Sequence, residues 1–189
     1  MQVTQLALPE VLLIEPRLFP DGRGHFFESW VEPRYREAGI ELTFVQDNFS
    51  RSTKNTLRGL HFQEPRSQGK LVTVLSGRVY DIVVDIRKGS PRFGEWVSID
   101  LDGDSPKQVW LPPGFAHGFC VLSETADFFY KCTAFYSPDT ERSVRWNDPE
   151  LAIAWPIETP ILSDKDAAAP FLADAPVFPE FADTKCGSS

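Results

Sequence analysis

The chain is poor in positive charge and in long apolar runs. Its 189 residues carry 19 Lys and Arg against 27 Asp and Glu, a formal net charge of −8, which argues against a nucleic-acid binder with a broad basic face. No run approaches the roughly 18 apolar residues that span a bilayer, and the start lacks a positive segment followed by an apolar one. We expect a soluble, cytoplasmic protein with no membrane or nucleic-acid partner.

Cysteines are also scarce. Cys120, Cys132 and Cys186 are an odd number at irregular spacings, without a Cys-x-x-Cys pair. Neither a disulfide framework nor a zinc cluster is therefore indicated. We interpret the three as two packed thiols and one thiol on a C-terminal tail.

Bulky apolar residues are plentiful enough for a folded core. Hydrophobic residues make up 42% of the chain and aromatic residues 13%, which excludes a disordered chain. A chain of 189 residues is long enough to fold as one domain without disulfides. We assign residues 1–189 to a single domain whose polar end, from about residue 176, is a frayed tail.

The hydrophobic periodicity is that of β-strands. Between Arg78 and Ile86 the even positions Tyr80, Ile82, Val84 and Ile86 are apolar, as in a strand with one strongly buried face. Ser76-Gly77 before it predicts a hairpin back to Lys70–Leu75. Trp96–Leu101 alternates in the same way and ends at the turn Asp102-Gly103.

One short helix is predicted over Glu32–Gly39, with Pro33 in its first turn and Gly39 at its end. Elsewhere 16 prolines and 12 glycines punctuate the strands at short intervals. Helical stretches that could serve as parallel crossovers are missing. The sequence therefore predicts an all-β, jelly-roll-like domain with antiparallel strands.

Each of the three histidines has its own context. His25 lies in a Gly-rich turn that enters a strand, and we interpret it as a surface residue. His61 lies in a mostly apolar strand, where a histidine is either a satisfied core residue or a functional one. His117 stands beside a turn at the mouth of a strand pair, where β-barrels often place ligand contacts.

A metal site is the first chemistry to test on such a scaffold. Two imidazoles on one face of a strand need His-x-His spacing. Gln63 instead stands two residues after His61. We therefore expect no metal site.

A further extended run, Ala126–Tyr136, offers a second constellation. If it is one unbroken strand, Tyr130 and Tyr136 project from the same face together with Phe128 and Cys132. Two interpretations stay open: aromatic packing in the core, or two phenols on the wall of a site.

Strand parity separates two other candidates. Arg58 and His61 should face opposite sides of their strand, unless Gly59 marks a bulge that turns the strand beside a site.

Nine segments, in this order along the chain, carry a specific resemblance to a known family. They are DGRGHFFE from Asp21, QDNFS from Gln46, LRGLHFQ from Leu57, GKLV from Gly69, SPRFG from Ser90, PPGFAHGF from Pro112, YKCT from Tyr130, ERSVRW from Glu141 and LSDKD from Leu162. They resemble the dTDP-4-dehydrorhamnose 3,5-epimerase family, over about Val11 to Leu172.

The resemblance implies a cupin fold, a double-stranded β-helix, and a cofactor-independent isomerase. By resemblance, His61 is the general base and Asp166 orients it. Tyr130 is the general acid on the opposite face of the sugar, and Lys70 steadies the enolate.

The resemblance also implies the substrate contacts. Arg23, Arg58 and Lys165 would contact the diphosphate, and Tyr136 would stack on thymine. The remaining residues implied at the nucleotide-sugar site are Phe26, Glu28, Gln46, Asn48, His117 and Glu141. Family members are homodimers that exchange N-terminal strands, so some contacts could come from the partner chain.

The implied chemistry is physically sound. C3 and C5 of a 4-keto hexose are both α to the carbonyl, so their protons can be removed if the enolate oxygen meets a donor or positive charge. Inversion needs a base on one face and a proton donor on the other. The leading hypothesis is double epimerisation of dTDP-4-dehydro-6-deoxy-D-glucose to dTDP-4-dehydro-L-rhamnose.

Three alternatives stay open at this point. A related enzyme could invert a single carbon or isomerise the ketone with the same base and acid. A metal-dependent cupin oxygenase would need further ligands near His61. A non-catalytic sugar-binding barrel would keep the arginines but lose the base or the acid.

Overall fold

The computed structural model describes residues 1–175 and 178–181. In that part of the chain the strands are β1 (Gln2–Gln5), β2 (Leu12–Glu15), β3 (Phe19–Asp21), β4 (Gly24–Phe26), β5 (Gln46–Thr53), β6 (Leu57–Gln63), β7 (Lys70–Ser76), β8 (Arg78–Asp85), β9 (Trp96–Asp102), β10 (Gln108–Leu111), β11 (Phe115–Val121), β12 (Thr125–Cys132) and β13 (Glu141–Ser143). The helices are α1 (Glu32–Glu37) and α2 (Asp164–Ala167), followed by a 3₁₀ turn over Leu172–Asp174.

The strands form two main sheets and a small hairpin. One sheet has the order β1-β2-β10-β7-β12-β5, the other has the order β13-β6-β11-β8-β9, and β3 pairs only with β4. The strand pairs are antiparallel. The largest core cluster joins both sheets, with Val72 and Phe128 from the first and Val83 and Phe119 from the second. The predicted all-β jelly roll is confirmed.

Strand β8 is confirmed in position, but the prediction that only one face is strongly buried is wrong. Val79 and Val83 lie in the core between the sheets, whereas Ile82 and Val84 lie in a second cluster on the other face. That second cluster includes Leu151 and other residues from the C-terminal part of the chain. Alternation is lost because a covering segment, distant in sequence, removes the solvent from the outer face.

The predicted hairpin between Lys70–Leu75 and the strand after Gly77 is also wrong. Strand β7 pairs with β10 and β12, and β8 pairs with β9 and β11 in the other sheet. Gly77 adopts a positive φ of 77°, and a Cβ there would lie 2.1 Å from the Thr125 carbonyl oxygen. The chain therefore crosses between the sheets at a position that only glycine fits.

Strand β9 and helix α1 agree with the sequence pattern. In β9, Val97, Ile99 and Leu101 are buried while the intervening residues are more exposed. Helix α1 starts with a proline in its first turn and is followed by Gly39 at φ 88°. Tyr35 is its buried residue.

The extended run Ala126–Tyr136 is shorter than predicted. Strand β12 ends at Cys132, and Tyr136 lies in the segment before β13. Cys120 and Cys132 are buried and free, as expected, whereas Cys186 and the end Asp183–Ser189 lie outside the described residues. Within the described ranges, no helix has the length and apolar character needed to cross a membrane.

Candidate active site

A cavity of about 290 Å³ opens between the two sheets at one end of the barrel. One wall comes from the six-stranded sheet and the other from the five-stranded sheet. The lining residues are Gln46, Asn48, His61, Phe62, Gln63, Gln68, Lys70, Tyr130, Cys132, Tyr136 and Glu141. Besides Cys132 and Phe62, the other nine carry polar side chains that donate or accept strong hydrogen bonds.

The first wall follows from strand register. Lys70 on β7 is directly opposite Cys132 on β12, which is opposite Gln46 on β5. Tyr130 is opposite Asn48 in the next row of the same face. Because directly paired residues point to the same side of a sheet, these five side chains form one polar surface.

The second wall carries an imidazole–carboxylate pair. Nε2 of His61 lies 2.5 Å from Oδ1 of Asp166. Asp166 is buried at the start of α2, where its backbone N–H donates to the Ser163 side chain at 3.1 Å. Burial is the largest single influence and opposes ionisation of this carboxyl, but the hydrogen bond and charge of His61, together with Ser163 and Lys165, hold the pKa of Asp166 below its ordinary value.

A bulge sets the direction of His61. His117 on β11 pairs with His61, but Phe119 pairs with Arg58, so two residues of β11 correspond to three of β6. Gly59 has φ 135°, and a Cβ there would lie 2.5 Å from the Gly118 Cα. The bulge at Gly59 that the sequence left open is confirmed. Because of this bulge, the directions of the Arg58 and His61 side chains do not follow simple strand alternation.

Tyr130 faces the His61–Asp166 pair from the opposite sheet. Burial raises the pKa of its phenol above the ordinary value, so the group holds its proton at neutral pH. Arg58 lies close enough for its charge to act in the opposite direction, and its Nε donates to the Ser52 hydroxyl at 3.0 Å. Arg58 is exposed and is not among the residues that line the cavity.

Lys70 is buried, with its Nζ 6.0 Å from the centroid of the Tyr130 ring. Burial lowers the pKa of this ammonium, and the nearest acidic groups, first Cys132 and then Glu141 and Asp81, act against that shift. Its position beside Tyr130 agrees with the predicted placement at the reacting centre.

Tyr136, Glu141 and Lys165 form a connected rim. The Tyr136 hydroxyl donates to Glu141 Oε2 at 2.9 Å, and Lys165 Nζ donates to Glu141 Oε1 at 2.6 Å. Burial opposes ionisation of Glu141, but these two hydrogen bonds hold the pKa of its carboxyl below the ordinary value. Tyr136 thus reaches the cavity although it lies beyond the strand of Tyr130, so the prediction of one unbroken strand is wrong while both phenols line one cavity.

Gln46 and Asn48 connect Tyr136 of the rim to Cys132 through hydrogen bonds. Gln46 Oε1 accepts from the Tyr136 backbone N–H at 2.8 Å, and Gln46 Nε2 donates to Asn48 Oδ1 at 2.9 Å. Asn48 Nδ2 in turn donates to Cys132 Sγ at 3.5 Å. These hydrogen bonds fix the orientation of both side-chain amides.

Three predicted substrate contacts do not reach the cavity within one chain. Arg23 is exposed and paired with Asp21 at 2.6 Å, Phe26 is 65% exposed on the β3–β4 hairpin, and Glu28 contacts Arg34. The β3–β4 hairpin makes no strand pair with either main sheet, so the role of these residues as substrate contacts stays a prediction that involves a partner chain.

His117 also differs from its predicted place. It is directly paired with His61 and points to the same side of the sheet, but it is buried and does not line the cavity. Its Nε2 is 2.8 Å from Asp81 Oδ2, and its ring stacks on Phe128. His25 is exposed on β4, as the sequence suggested.

Sequence reasoning did not assign Phe62, Gln63, Gln68 or Cys132 to the site. Gln63 donates to the carbonyl oxygens of Arg66 and Phe135 and accepts from the Ser137 backbone N–H, so it fixes the loops around the cavity. The signal for Cys132 was its shared parity with Tyr130. Among the described residues there is no group of three or more His, Cys, Asp or Glu that could hold a metal ion.

Comparison with known proteins agrees with this geometry. The family model described as dTDP-4-dehydrorhamnose 3,5-epimerase matches residues 5–174. The dTDP-4-dehydrorhamnose 3,5-epimerase of Pseudomonas aeruginosa is 52% identical over 181 residues, which cover 95% of this chain and 100% of that protein. The enzyme of the same name from Salmonella typhimurium is 53% identical over 178 residues, 93% of this chain and 97% of that protein.

A solved structure is similar over nearly the whole fold. The dTDP-6-deoxy-D-glucose-3,5-epimerase of Legionella pneumophila, in complex with dTDP-4-keto-L-rhamnose, gives a TM-score of 0.94 at 50% identity and covers 96% of this chain and 99% of that one. The fold and the site are thus those of a cupin-type isomerase of nucleotide sugars. The chain belongs to the dTDP-4-dehydrorhamnose 3,5-epimerase family.

Proposed function

We propose that this enzyme inverts C3 and C5 of dTDP-4-dehydro-6-deoxy-D-glucose to give dTDP-4-dehydro-L-rhamnose. The observation that carries the proposal is the placement of the His61–Asp166 pair and the Tyr130 phenol on facing walls of one cavity. A proton is removed from each carbon on one face and returned on the other. The reaction has no net oxidation, and we propose that it needs no metal or other cofactor.

His61 is the proposed base. A carboxylate partner fixes one ring nitrogen as a hydrogen-bond donor and leaves the other free to accept a proton. The same carboxylate stabilises the imidazolium once the proton has been taken, because charge-assisted hydrogen bonds are the strong ones. The charge of Asp166 is available for this role because its pKa lies below the ordinary value.

Tyr130 is the proposed acid and Lys70 the proposed enolate partner. A phenol with a raised pKa keeps its proton until the carbanion forms, and it can then deliver that proton from the face opposite His61. Lys70 lies beside Tyr130 and supplies a donor for the developing oxyanion. In a site with little water, such a donor acts more strongly than it would in solution.

The nucleotide end is proposed to lie along the rim. Arg58 and Lys165 are exposed cations that act on the cavity residues Tyr130 and Glu141, respectively, and suit a diphosphate. Tyr136 offers a ring that is half exposed for stacking on thymine. Gln46, Asn48 and Glu141 present fixed hydrogen-bonding groups between these two ends, and His117 lies beside His61 on the neighbouring strand.

Arg23, Phe26 and Glu28 are proposed to complete the site of a second copy in a homodimer. The β3–β4 hairpin pairs with neither main sheet and exposes Phe19 and Phe26. A mixture of Arg23→Ala and His61→Ala chains tests this proposal. If each site takes Arg23 from its partner, hybrid dimers regain one intact site, about a quarter of all sites in a random mixture. No recovery after subunit exchange would contradict it.

Product analysis tests the reaction itself. The purified protein is incubated with the 4-keto substrate, and the ring configuration of the product is determined by NMR. Inversion at both carbons supports the proposal. Inversion at a single carbon would favour a monoepimerase, and a moved carbonyl would favour a ketoisomerase.

A further inference from the structure

The last described residues, Phe178–Phe181, form a strap across the five-stranded half of the barrel. The Lys88 backbone N–H donates to the Pro179 carbonyl oxygen at 2.8 Å, and the Phe181 N–H donates to the Lys88 carbonyl oxygen at 3.0 Å. These bonds form a short parallel bridge between Lys88 and Glu180. The strap lies beyond residues 5–174, the part that the family model matches.

Aromatic contacts hold the strap at both ends. The Phe178 ring lies 6.1 Å from Phe62, nearly parallel to it, and 5.3 Å from Phe93, nearly perpendicular. At the other end, the Arg87 guanidinium lies 4.9 Å from the Phe181 ring centroid and 4.4 Å from that of Phe115. Contacts of this kind stabilise beyond the apolar area that they bury.

The middle of the strap reaches the reverse side of the active cavity. Pro179 is buried and lines a small enclosed space together with Lys70, Gln63 and Gln68. The same three residues also line the cavity that holds His61 and Tyr130. They are therefore a partition with the active cavity on one side and the strap on the other.

We propose that the strap is a positioning element of the active site: Pro179 closes the barrel behind Lys70, and Phe178 fixes Phe62 and with it the strand of His61. The proposal rests on the proposed function, because it assigns to Lys70 and His61 the roles given above. Closure keeps water from the rear of Lys70, which preserves the strength of its interaction with the enolate. A fixed β6 keeps His61 within reach of the substrate carbon.

A pair of shortened chains tests the proposal. A chain that ends after Ala175 loses the strap, whereas a matched control that ends after Phe181 keeps it. We expect kcat of the shorter chain to fall about tenfold or more with KM nearly unchanged, because a small displacement of reacting groups is costly and the strap lies away from the substrate side. The control should retain the activity of the full chain.

Chemical labelling gives a readout that does not depend on catalysis. Lys70 is acylated with acetic anhydride in the absence of substrate, and mass spectrometry compares its labelling with that of exposed Lys54. Other groups that act on Lys70 are Cys132, Glu141, Asp81 and Lys165, and all of them are retained in the shortened chains. We expect the labelling rate of Lys70 to rise when the strap is absent, and the ratio of this rate to that of Lys54 to rise as well.

Point variants cover the case in which the shorter chain does not fold. Phe178→Ala and Pro179→Gly keep the rest of the chain, and Glu180→Gln changes an exposed side chain of the same strap as a control. Faster Lys70 labelling with lower kcat in the first two, but not in the third, supports the proposal. Unchanged labelling and kcat in folded variants would overturn it. The full-length chain could also prove to lack epimerase activity. Faster Lys70 labelling in the first two variants would then show that the strap shields Lys70 and that only the proposed function is wrong.

Discussion

The Asp166 carboxylate and the His61 imidazole meet at 2.5 Å, although 105 residues separate them in the chain. A backbone hydrogen bond brings the two segments together: the Leu57 N–H at the start of β6 donates to the Ile161 carbonyl oxygen at 3.0 Å. Two residues after Ile161, Ser163 caps the helix whose first turn carries Asp166. The pair is thus a product of the fold rather than of any local motif.

Replacing this carboxylate tests its orienting role. We expect Asp166→Asn to lower kcat by about 10²-fold or more with a small change in KM, because an amide does not stabilise the imidazolium that forms during proton removal. The control is Asp164→Asn, in the same helical turn. Activity of Asp166→Asn within a few fold of the original enzyme would show that the pair is structural only.

The Tyr130 phenol should be needed for inversion but not for proton removal. In Tyr130→Phe, His61 can still take a proton and return it to the same face. We therefore expect solvent exchange at C3 and C5 without efficient inversion. The measurement follows deuterium uptake and product configuration in the same sample. Loss of exchange and inversion to the same degree would contradict the assignment of the acid.

Tyr136 should behave differently, although it lines the same cavity. Its ring is proposed to stack on thymine, which Phe largely reproduces, so Tyr136→Phe should keep most of the activity after losing its hydrogen bond to Glu141. Tyr136→Ala should mainly raise KM, because the stacking contact is the same in ground and transition states. Equal inversion defects in Tyr136→Phe and Tyr130→Phe would show that the two roles are wrongly divided.

Lys70 should lower the stability of the fold that it serves. Burial lowers its pKa from the ordinary value of about 10.4. Between the folded and unfolded pKa values, the unfolded chain therefore binds more protons, and stability rises with pH through that window. Lys70→Met removes this dependence and should stabilise by about 1 kcal/mol or more at neutral pH while removing activity.

Denaturant unfolding at several pH values measures this effect. Lys54→Met is the control, because Lys54 is exposed and paired with Glu124 at the surface. A Lys70→Met protein that is less stable at neutral pH, or that keeps the same rise of stability with pH, would contradict the account.

Removal of metal ions should leave the reaction unchanged. This expectation follows from Gln63. It stands where a metal-binding strand would have a second histidine, and its amide donates to loop carbonyl oxygens. After exhaustive chelation and metal analysis of the sample, we expect full activity. A loss of activity that a divalent ion restores would overturn the metal-free proposal.

The fold was predictable where one strand has one buried face. Strand β9 follows its alternation, and the turn residues around α1 mark its ends. The sequence failed at β8 because residues such as Leu151 cover its second face from far along the chain. It failed at Gly77 because a tight hairpin and a crossing between sheets use the same residue types.

The site was predictable in its residues but less so in its geometry. His61, Lys70 and Tyr130 come together as expected, and Gly59 provides the bulge that strand parity required. The β3–β4 hairpin with Arg23 was expected at the site but lies away from it in one chain. Contacts to a second copy leave no periodic signal in one sequence, and neither does the strap at Phe178–Phe181.

The most direct test of the account follows deuterium uptake at C3 and C5 of the 4-keto substrate by NMR, with the original enzyme and His61→Ala side by side in deuterated water. The account predicts that the original enzyme places deuterium at both carbons of an inverted product. It predicts that His61→Ala loses exchange at both carbons together, by about 10²–10⁴-fold, because one base serves both positions. Near-full exchange at either carbon in His61→Ala would contradict it.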